Sequence, residues 1–139
     1  MTRWLIFVTF ISCLFSCMQS NSTKKDNQQS IQVKGPVVDE HTRCIHYHSE
    51  KDVIAIKMKC CGDYYPCIKC HNETAAHAAA VWPKKEFDRK AVLCGMCYHE
   101  MTINEYLKSH NQCPNCKAPF NPGCSNHYHL YFEMASNAN

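Results

Sequence analysis

Cysteine and histidine residues in metal-ligand spacing constrain this chain more than any other feature of its sequence. The 139 residues include twelve cysteines and nine histidines. Three pairs of cysteines have two residues between their members, namely Cys67–Cys70, Cys94–Cys97 and Cys113–Cys116. Such a turn offers two thiolates from one short loop, and Zn²⁺ binds four nitrogen or sulfur ligands in a tetrahedron. The spacing therefore predicts zinc sites assembled from pairs of turns.

The last two pairs carry the strongest metal signal. Fifteen residues separate Cys97 from Cys113, and two Cys-x2-Cys turns at such a distance are typical of a zinc ribbon. Within that stretch, Thr102-Ile-Asn-Glu105 has the pattern of a capping box, so we expect a short helix over 103–109 that returns the chain to its first turn. The four cysteines of these two pairs should therefore share one ion.

The ligands of the preceding half are harder to assign from spacing. Cys60 and Cys61 are adjacent, so they can serve one ion or two neighbouring ions. His71 and His77 are six residues apart, which on one helix would place them about 240° apart. The alanine-rich stretch 74–81 predicts a helix with Asn72 as its N-cap. We therefore expect His71 to precede this helix and His77 to lie within it, so that both can face one metal ion.

Upstream of these positions the chain contains Cys44-Ile-His46-Tyr47. Taken together, this motif and the positions above resemble the CHY-type zinc finger, over roughly residues 38–133. The resemblance implies three zinc ions and a small metal-bound α+β domain, an irregular zinc-knuckle architecture in which short strands and two short helices surround the ions. It also implies a division of the ligands that spacing alone cannot choose. The first cluster is Cys44, His46, Cys67 and Cys70; the second is Cys60, Cys61, His71 and His77; the third is Cys94, Cys97, Cys113 and Cys116.

The C-terminal part, including Cys124, His127 and Tyr131-Phe132, resembles the short, single-domain branch of that family. This branch includes an assembly helper for small chaperones of the mitochondrial intermembrane space. The resemblance implies a non-enzymatic zinc-binding module that assists metal or thiol handling, or assembly, of cysteine-rich client proteins. A protein-interaction module with purely structural zinc, as in the CHY part of ubiquitin ligases, and a thiol oxidoreductase are the alternatives. We expect a client or partner protein and a monomeric chain.

Competing uses of the same residues fit the sequence less well. A disulfide framework would suit an oxidising compartment, but it does not need so many histidines in ligand spacing. A zinc hydrolase needs an open coordination position and a general base, and the stretch that begins His71-Asn-Glu73 is not a His-Glu-x-x-His motif. Cys124 and His127 remain outside the three clusters. They could form a weak half-site, extend the third cluster, or be a packed thiol and a surface imidazole.

The N-terminus has the features of a targeting sequence. An apolar run over 4–15 follows Arg3 and has the length of a signal-peptide core, too short to span a bilayer. It ends just before Cys17 in a pattern typical of a bacterial lipoprotein. We predict export and tethering to the bacterial cell envelope through lipidated Cys17, with a membrane contact only through this lipid or signal anchor. The mitochondrial intermembrane space and the cytosol are the alternatives.

The remaining organisation follows from composition. The polar stretch over residues 18–32 contains one methionine and one isoleucine, too few apolar residues to form a folded core. We predict a lipoprotein-like signal peptide over 1–17, a flexible linker over 18–36, the zinc finger domain over 37–134 and a tail over 135–139. Alternating apolar residues predict two strands, one at Ile54, Ile56 and Met58 and one at Tyr128, Leu130 and Phe132.

Charge argues against a nucleic-acid partner. The formal net charge is +3, and no run of lysine or arginine exceeds two residues. Nine thiolates on three zinc ions would bring the net charge close to zero. A nucleic-acid-binding surface needs a basic stripe, so we expect none here.

Overall fold

A four-stranded antiparallel sheet organises the computed structural model, which describes residues 31–135. Its strands lie in the order β2-β1-β3-β4. Two short α-helices and two 3₁₀ segments complete the fold, which confirms the predicted small α+β class. The elements are β1 (Ile54–Lys57), β2 (Tyr64–Tyr65), α1 (Ile68–Thr74), a first 3₁₀ segment (Lys84–Glu86), β3 (Lys90–Cys94), β4 (Glu100–Thr102), α2 (Ile103–Leu107) and a second 3₁₀ segment (Pro122–Leu130).

The two central strands are buried on both faces. In β1, Ile54, Ala55 and Ile56 are all buried, and β3 is buried from Ala91 to Cys94. The predicted strand at 54–58 is therefore present, but its alternating isoleucines do not mark a sheet with one face in water. Because Ile54 pairs with Cys94, the sheet register sets the third cluster directly beside β1.

Helix α2 forms as its sequence predicts. The Thr102 side chain accepts a hydrogen bond from the backbone N–H of Glu105, and the Glu105 carboxylate accepts one from the backbone N–H of Thr102. This reciprocal capping satisfies two backbone donors at the helix start. Met101 and Tyr106 are buried in the same hydrophobic core. The α-helix ends at Leu107, two residues before the predicted end.

The helix predicted over 74–81 is wrong. Helix α1 (Ile68–Thr74) lies earlier in the chain and ends where Ala75 adopts an extended conformation. Its N-cap is Cys67, whose sulfur accepts the backbone N–H of Cys70. His71 thus lies inside the helix and His77 beyond it, the reverse of the prediction. The helix propensity of alanine is worth only tenths of a kcal/mol per residue, so the convergence of the two histidines outweighs it.

The strand predicted at 128–132 is also wrong. Most of this stretch belongs to the second 3₁₀ segment, which has Pro122 in its first turn and Asn121 as a side-chain N-cap. Proline fixes its own φ near the helical value, which favours the start of a helical segment at Pro122. Leu130, expected on the buried face of a strand, is 36% exposed. Phe132 does enter the core, where it forms an isolated bridge with Trp82.

The segment just before residue 37 has backbone contacts with β2. Val33 forms a parallel bridge with Tyr64, and the Lys34 backbone N–H donates to the Tyr64 carbonyl at 2.8 Å. Gly35 has a φ of +93°, and a Cβ there would lie 2.9 Å from the Cβ of Cys70. Residues 33–36 thus contact the folded domain, just before its predicted start at residue 37. The signal peptide, the linker up to residue 30 and residues 136–139 of the tail lie outside the described residues.

Buried side chains form two main groups around the clusters. The larger group surrounds β3 and includes Phe120, Phe132 and Trp82 together with Cys94 and Cys113. The smaller group contains Met58 and Tyr65 with three cysteines of the first cluster. Cysteine sulfurs thus occupy core positions that aliphatic side chains fill in larger domains. None of the helices within residues 31–135 has the length and apolar character needed to cross a bilayer.

Candidate metal centre

The structure brings the twelve predicted ligands together in the same three groups of four. Within each group, one ligand atom from every residue lies within 4.8 Å of the others. Four sulfurs bound to one Zn²⁺ at about 2.3 Å in a tetrahedron would lie about 3.8 Å apart, and a sulfur and a nitrogen about 3.5 Å apart. These separations provide a test of whether each group fits zinc.

The first cluster joins an N-terminal loop to the start of α1. Cys67, as the N-cap, and Cys70, in the first turn, place their sulfurs 3.5 Å apart. His46 brings its Nδ1 atom to 3.6 Å from the Cys67 sulfur and 3.4 Å from that of Cys70. Cys44 completes the group, with its sulfur 3.9 Å from that of Cys67. All four separations fit a tetrahedral zinc site.

The second cluster connects the turn between β1 and β2 to the two histidines. The sulfurs of Cys60 and Cys61 lie 3.9 Å apart, so the adjacent cysteines can serve one ion together. The Nε2 atom of His71 lies 3.3 Å from the Cys60 sulfur and 3.2 Å from the Nε2 atom of His77. Two nitrogens bound to zinc at about 2.05 Å would lie about 3.3 Å apart in a tetrahedron. This group also fits zinc.

The third cluster closes the turn after β3 onto the loop after α2. The sulfurs of Cys94 and Cys116 lie 3.8 Å apart, as do those of Cys97 and Cys113. Gly95, inside the first turn, lies so close to the preceding loop that a Cβ would be 2.1 Å from the His41 carbonyl oxygen. Only glycine permits this approach. The capped helix α2 returns the chain to this site as the sequence predicts.

The sulfur separations answer the disulfide hypothesis for the described residues. Disulfide-bonded sulfurs lie about 2.05 Å apart. The shortest separation found among the cluster cysteines is 3.5 Å, and all ten cysteines between residues 31 and 135 are unpaired. The observed spacing is that of ligands around a shared ion.

Burial sets the protonation of the thiols before metal binds. Burial strongly raises the pKa of the Cys70 and Cys94 thiols, and burial also raises that of Cys67. Burial opposes ionisation of Cys97 as well, but hydrogen bonds from Asn115 and the backbone N–H of His99 lower its pKa to about 7. Zinc binds thiolates, so loading of these sites at neutral pH releases protons.

Sequence reasoning missed the groups that orient the ligands. His46 faces the first cluster through Nδ1, and its Nε2–H donates to the Glu73 carboxylate at 2.9 Å. His71 faces the second cluster through Nε2, and its Nδ1–H donates to the Asn72 side chain at 3.2 Å. Such partners fix the tautomer and ring orientation of a metal ligand. Asn72 was expected to cap a helix, and it instead orients a ligand from within α1.

The positions of these orienting residues relative to the ligands could have identified them from the sequence. Glu73 follows Cys70 by three residues, which on a helix places both on one face. Asn115 lies inside the Cys113–Cys116 turn, and its Nδ2 donates to the Cys97 sulfur at 3.5 Å. A polar residue at such a position is within reach of a ligand of the same cluster.

Cys124 and His127 join none of the clusters formed by residues 31–135. Both line a cavity of about 260 Å³ between the first cluster, β1 and the second 3₁₀ segment. Cys124 packs against the larger core, and the His127 ring lies 6.0 Å from that of Tyr47. Of the three possibilities left open by the sequence, a packed thiol beside a partly exposed imidazole matches this arrangement.

Comparisons with known proteins agree with this site. The profile of the CHY zinc finger family matches residues 44–131. The chain is 46% identical over 109 residues to Helper of Tim protein 13 of Saccharomyces cerevisiae, covering 73% of this chain and 90% of that protein. It is 42% identical over 104 residues to Helper of Tim protein 13 of Kluyveromyces lactis, covering 75% and 90%.

A third relative is an uncharacterised protein of Schizosaccharomyces pombe, 43% identical over 108 residues that cover 78% of this chain and 95% of the relative. These three relatives are fungal, so they give no support to the predicted bacterial envelope lipoprotein. That prediction rests on residues 1–17, which lie outside the described part of the chain.

Proposed function

This chain belongs to the CHY zinc finger family, and from that membership we propose that it is a zinc-binding assembly helper for cysteine-rich client proteins. Family and geometry together make it a three-zinc protein. Two of its relatives are named as helpers of a Tim protein. We carry that role to this chain as a proposal and place its action in the mitochondrial intermembrane space.

The completeness of the three clusters is the observation that carries the proposal. We propose the four residues of each cluster as its zinc ligands. Each set supplies four nitrogen or sulfur atoms at tetrahedral separations, which leaves no open position for a substrate or an activated water. The zinc sites therefore support a binding role and not catalysis, and we propose that the protein is not an enzyme.

The choice of client follows from the chemistry of the sites. A protein that binds zinc through thiolates and imidazoles competes for this ion with cysteine-rich proteins, because their thiols are ligands of the same type. Such a protein can take zinc from a client or protect thiols of that client by loading them. Either action would assist assembly of a client whose cysteines must be free of metal at a defined step.

Complementation tests the proposal. The full chain is expressed in Saccharomyces cerevisiae that lacks its Helper of Tim relative. We expect the chain to be recovered in the intermembrane-space fraction and to restore the amount and thiol oxidation state of small Tim proteins, measured by alkylation of free thiols. The double variant Cys60→Ser/Cys61→Ser should fail to restore them.

Cys124→Ser is the matched control because it removes a thiol that belongs to no cluster in residues 31–135. It should complement as well as the unmodified chain. A chain that folds with three zinc ions, reaches the compartment and yet leaves the Tim proteins unchanged would contradict the proposed role.

A further inference from the structure

The three clusters differ in how far their ligands are shielded from solvent. Three of the four residues of the first cluster are buried, and two of the four in the third. In the second cluster only His71 is buried. Cys60 and Cys61 are partly exposed, and His77 is exposed. A competing ligand in solution therefore reaches the second cluster most easily.

The backbone on both sides of His77 makes no hydrogen bond of its own between residues 76 and 81 of the described structure. His77 lies between the end of α1 and Trp82, in a stretch without helix or strand. The flanking residues do have such bonds, since Ala75 donates to the His71 carbonyl and Trp82 donates to the Tyr131 carbonyl. His77 can thus leave an ion without breaking secondary structure.

The net charge of the zinc-loaded clusters also distinguishes the second cluster from the other two. Three thiolates around Zn²⁺ leave the first cluster with one negative charge, four leave the third with two, and two leave the second neutral. Backbone N–H groups of Met96, Cys97 and Ala118 donate to thiolates of the third cluster, and that of Asp63 donates to Cys61 of the second. The second cluster therefore attracts the divalent ion least strongly.

An open groove gives access to the same ligand. The residues that line this groove include His77, Val81 and Leu130. Val81 is 44% exposed and Leu130 36% exposed. His77 is the one cluster ligand among the lining residues, so a chain or small chelator that enters the groove meets His77 first.

We propose that the second cluster is the zinc-exchange site of this protein and that His77 is the ligand that opens it, while the first and third clusters retain their ions. This inference rests on the proposed function, because it identifies which site would hand zinc to or take it from a client.

The exchange step moves Zn²⁺ without a change of oxidation state. An incoming thiolate or pyridyl nitrogen replaces the Nε2 atom of His77, and further incoming ligands replace His71 and the two sulfurs. Cys60 and Cys61 each take one proton from solvent as they leave the ion, and both imidazoles remain neutral. Loading of the empty cluster reverses these steps and releases two protons.

Chelator competition with 4-(2-pyridylazo)resorcinol on the three-zinc protein tests the inference. We expect one ion to leave at least about tenfold faster than the other two, because removal of a supporting group alone changes metal affinity by 10- to 100-fold. Native mass spectrometry should then show a two-zinc protein. Refilling with one equivalent of Co²⁺ identifies the emptied site, since the intensity of the thiolate-to-cobalt absorption scales with the number of thiolates.

An absorption that corresponds to two thiolates supports the inference, because only the second cluster has two. An absorption of three or four thiolates overturns it and leaves the proposed function intact. Three ions that leave at one common rate also overturn it. Failure of complementation with a fast second-cluster ion still present would instead contradict the proposed function alone.

A pair of variants provides an independent check. His77→Ala should be purified with two zinc ions, both slow to leave. Cys116→Ala removes the exposed ligand of the third cluster and should retain the fast ion. A His77→Ala protein that still releases one fast ion would overturn the inference.

Discussion

At the scale of single residues, the sites depend on side chains that never touch the metal. Glu73 and Asn72 lie next to each other on α1 and orient ligands of two different clusters. Thr74 donates its hydroxyl to the Cys70 carbonyl at 2.7 Å, which ties the end of this helix to the first cluster. One short helix thus couples two zinc sites.

Glu73→Gln tests the orienting contact. The amide keeps the size of the side chain but removes the charge that favours the Nδ1-ligating form of His46. We expect the first-cluster ion to bind about tenfold more weakly, with zinc stoichiometry unchanged at saturating metal. Competition with a chelator of known affinity measures the change. Glu50→Gln, at an exposed carboxylate with no cluster contact, should have no effect, and equal effects of the two variants would contradict the assignment.

Gly95→Ala tests the close approach in the third cluster. A Cβ at this position would lie 2.1 Å from the His41 carbonyl oxygen and 2.5 Å from the Thr42 hydroxyl, so the two loops must separate. Overpacking of this kind costs about 1–3 kcal/mol or more. Thermal unfolding of the zinc-loaded protein should show a large loss of stability.

Gly123→Ala is the control for that variant, since its nearest neighbour is the Asn121 side chain at 3.1 Å, which can adjust. A Gly95→Ala protein as stable as Gly123→Ala would mean that the two loops do not meet as described.

At the scale of elements, ligand convergence decides where helices begin and end. Helix α1 starts at a cysteine N-cap and stops at an extended alanine, although the most helix-favouring residues lie after it. Helix α2 has no such conflict, because its capping box and its ligand spacing require the same geometry. Local sequence therefore predicted α2 well and misplaced α1.

Glycine and alanine variants can distinguish helix α1 from the non-helical alanine-rich stretch through their effect on the free energy of unfolding. Glycine in a helix interior costs about 1 kcal/mol relative to alanine. Position 69 is exposed inside α1, and position 78 is exposed outside any helix. We expect Lys69→Gly to be less stable than Lys69→Ala by about 1 kcal/mol, and Ala78→Gly to differ much less from the unmodified chain. Denaturant unfolding at saturating zinc measures both, and a larger penalty at position 78 would show that the alanine-rich stretch is helical after all.

At the scale of the whole molecule, the metal sites and the hydrophobic core share residues, because cluster cysteines belong to both buried groups. The smaller buried group consists of Met58 and Tyr65 with three first-cluster cysteines, and the larger includes two cysteines of the third cluster. Structural zinc contributes about 10–16 kcal/mol per site in finger peptides. Removal of the ions therefore removes the bonds that link cysteines within both groups.

Zinc removal should unfold most of the chain. Treatment with EDTA and a phosphine reductant, which keeps the thiols reduced, should abolish the cooperative thermal transition and the dispersion of amide signals in NMR spectra. Return of zinc should restore both. A metal-free, reduced protein that still unfolds cooperatively would show that hydrophobic packing alone maintains the fold.

The sequence by itself determined the chemistry of this protein and its third cluster. Two Cys-x2-Cys turns and a capped helix fix a local geometry that needs no distant contact to specify it, and the family resemblance added the division of the other eight ligands. Only the tertiary structure decided that His77 lies outside a helix, that Val33 pairs with Tyr64 and that Phe132 pairs with Trp82. Each of these depends on contacts between residues far apart in the chain, and such contacts outweigh local preferences of a few tenths of a kcal/mol.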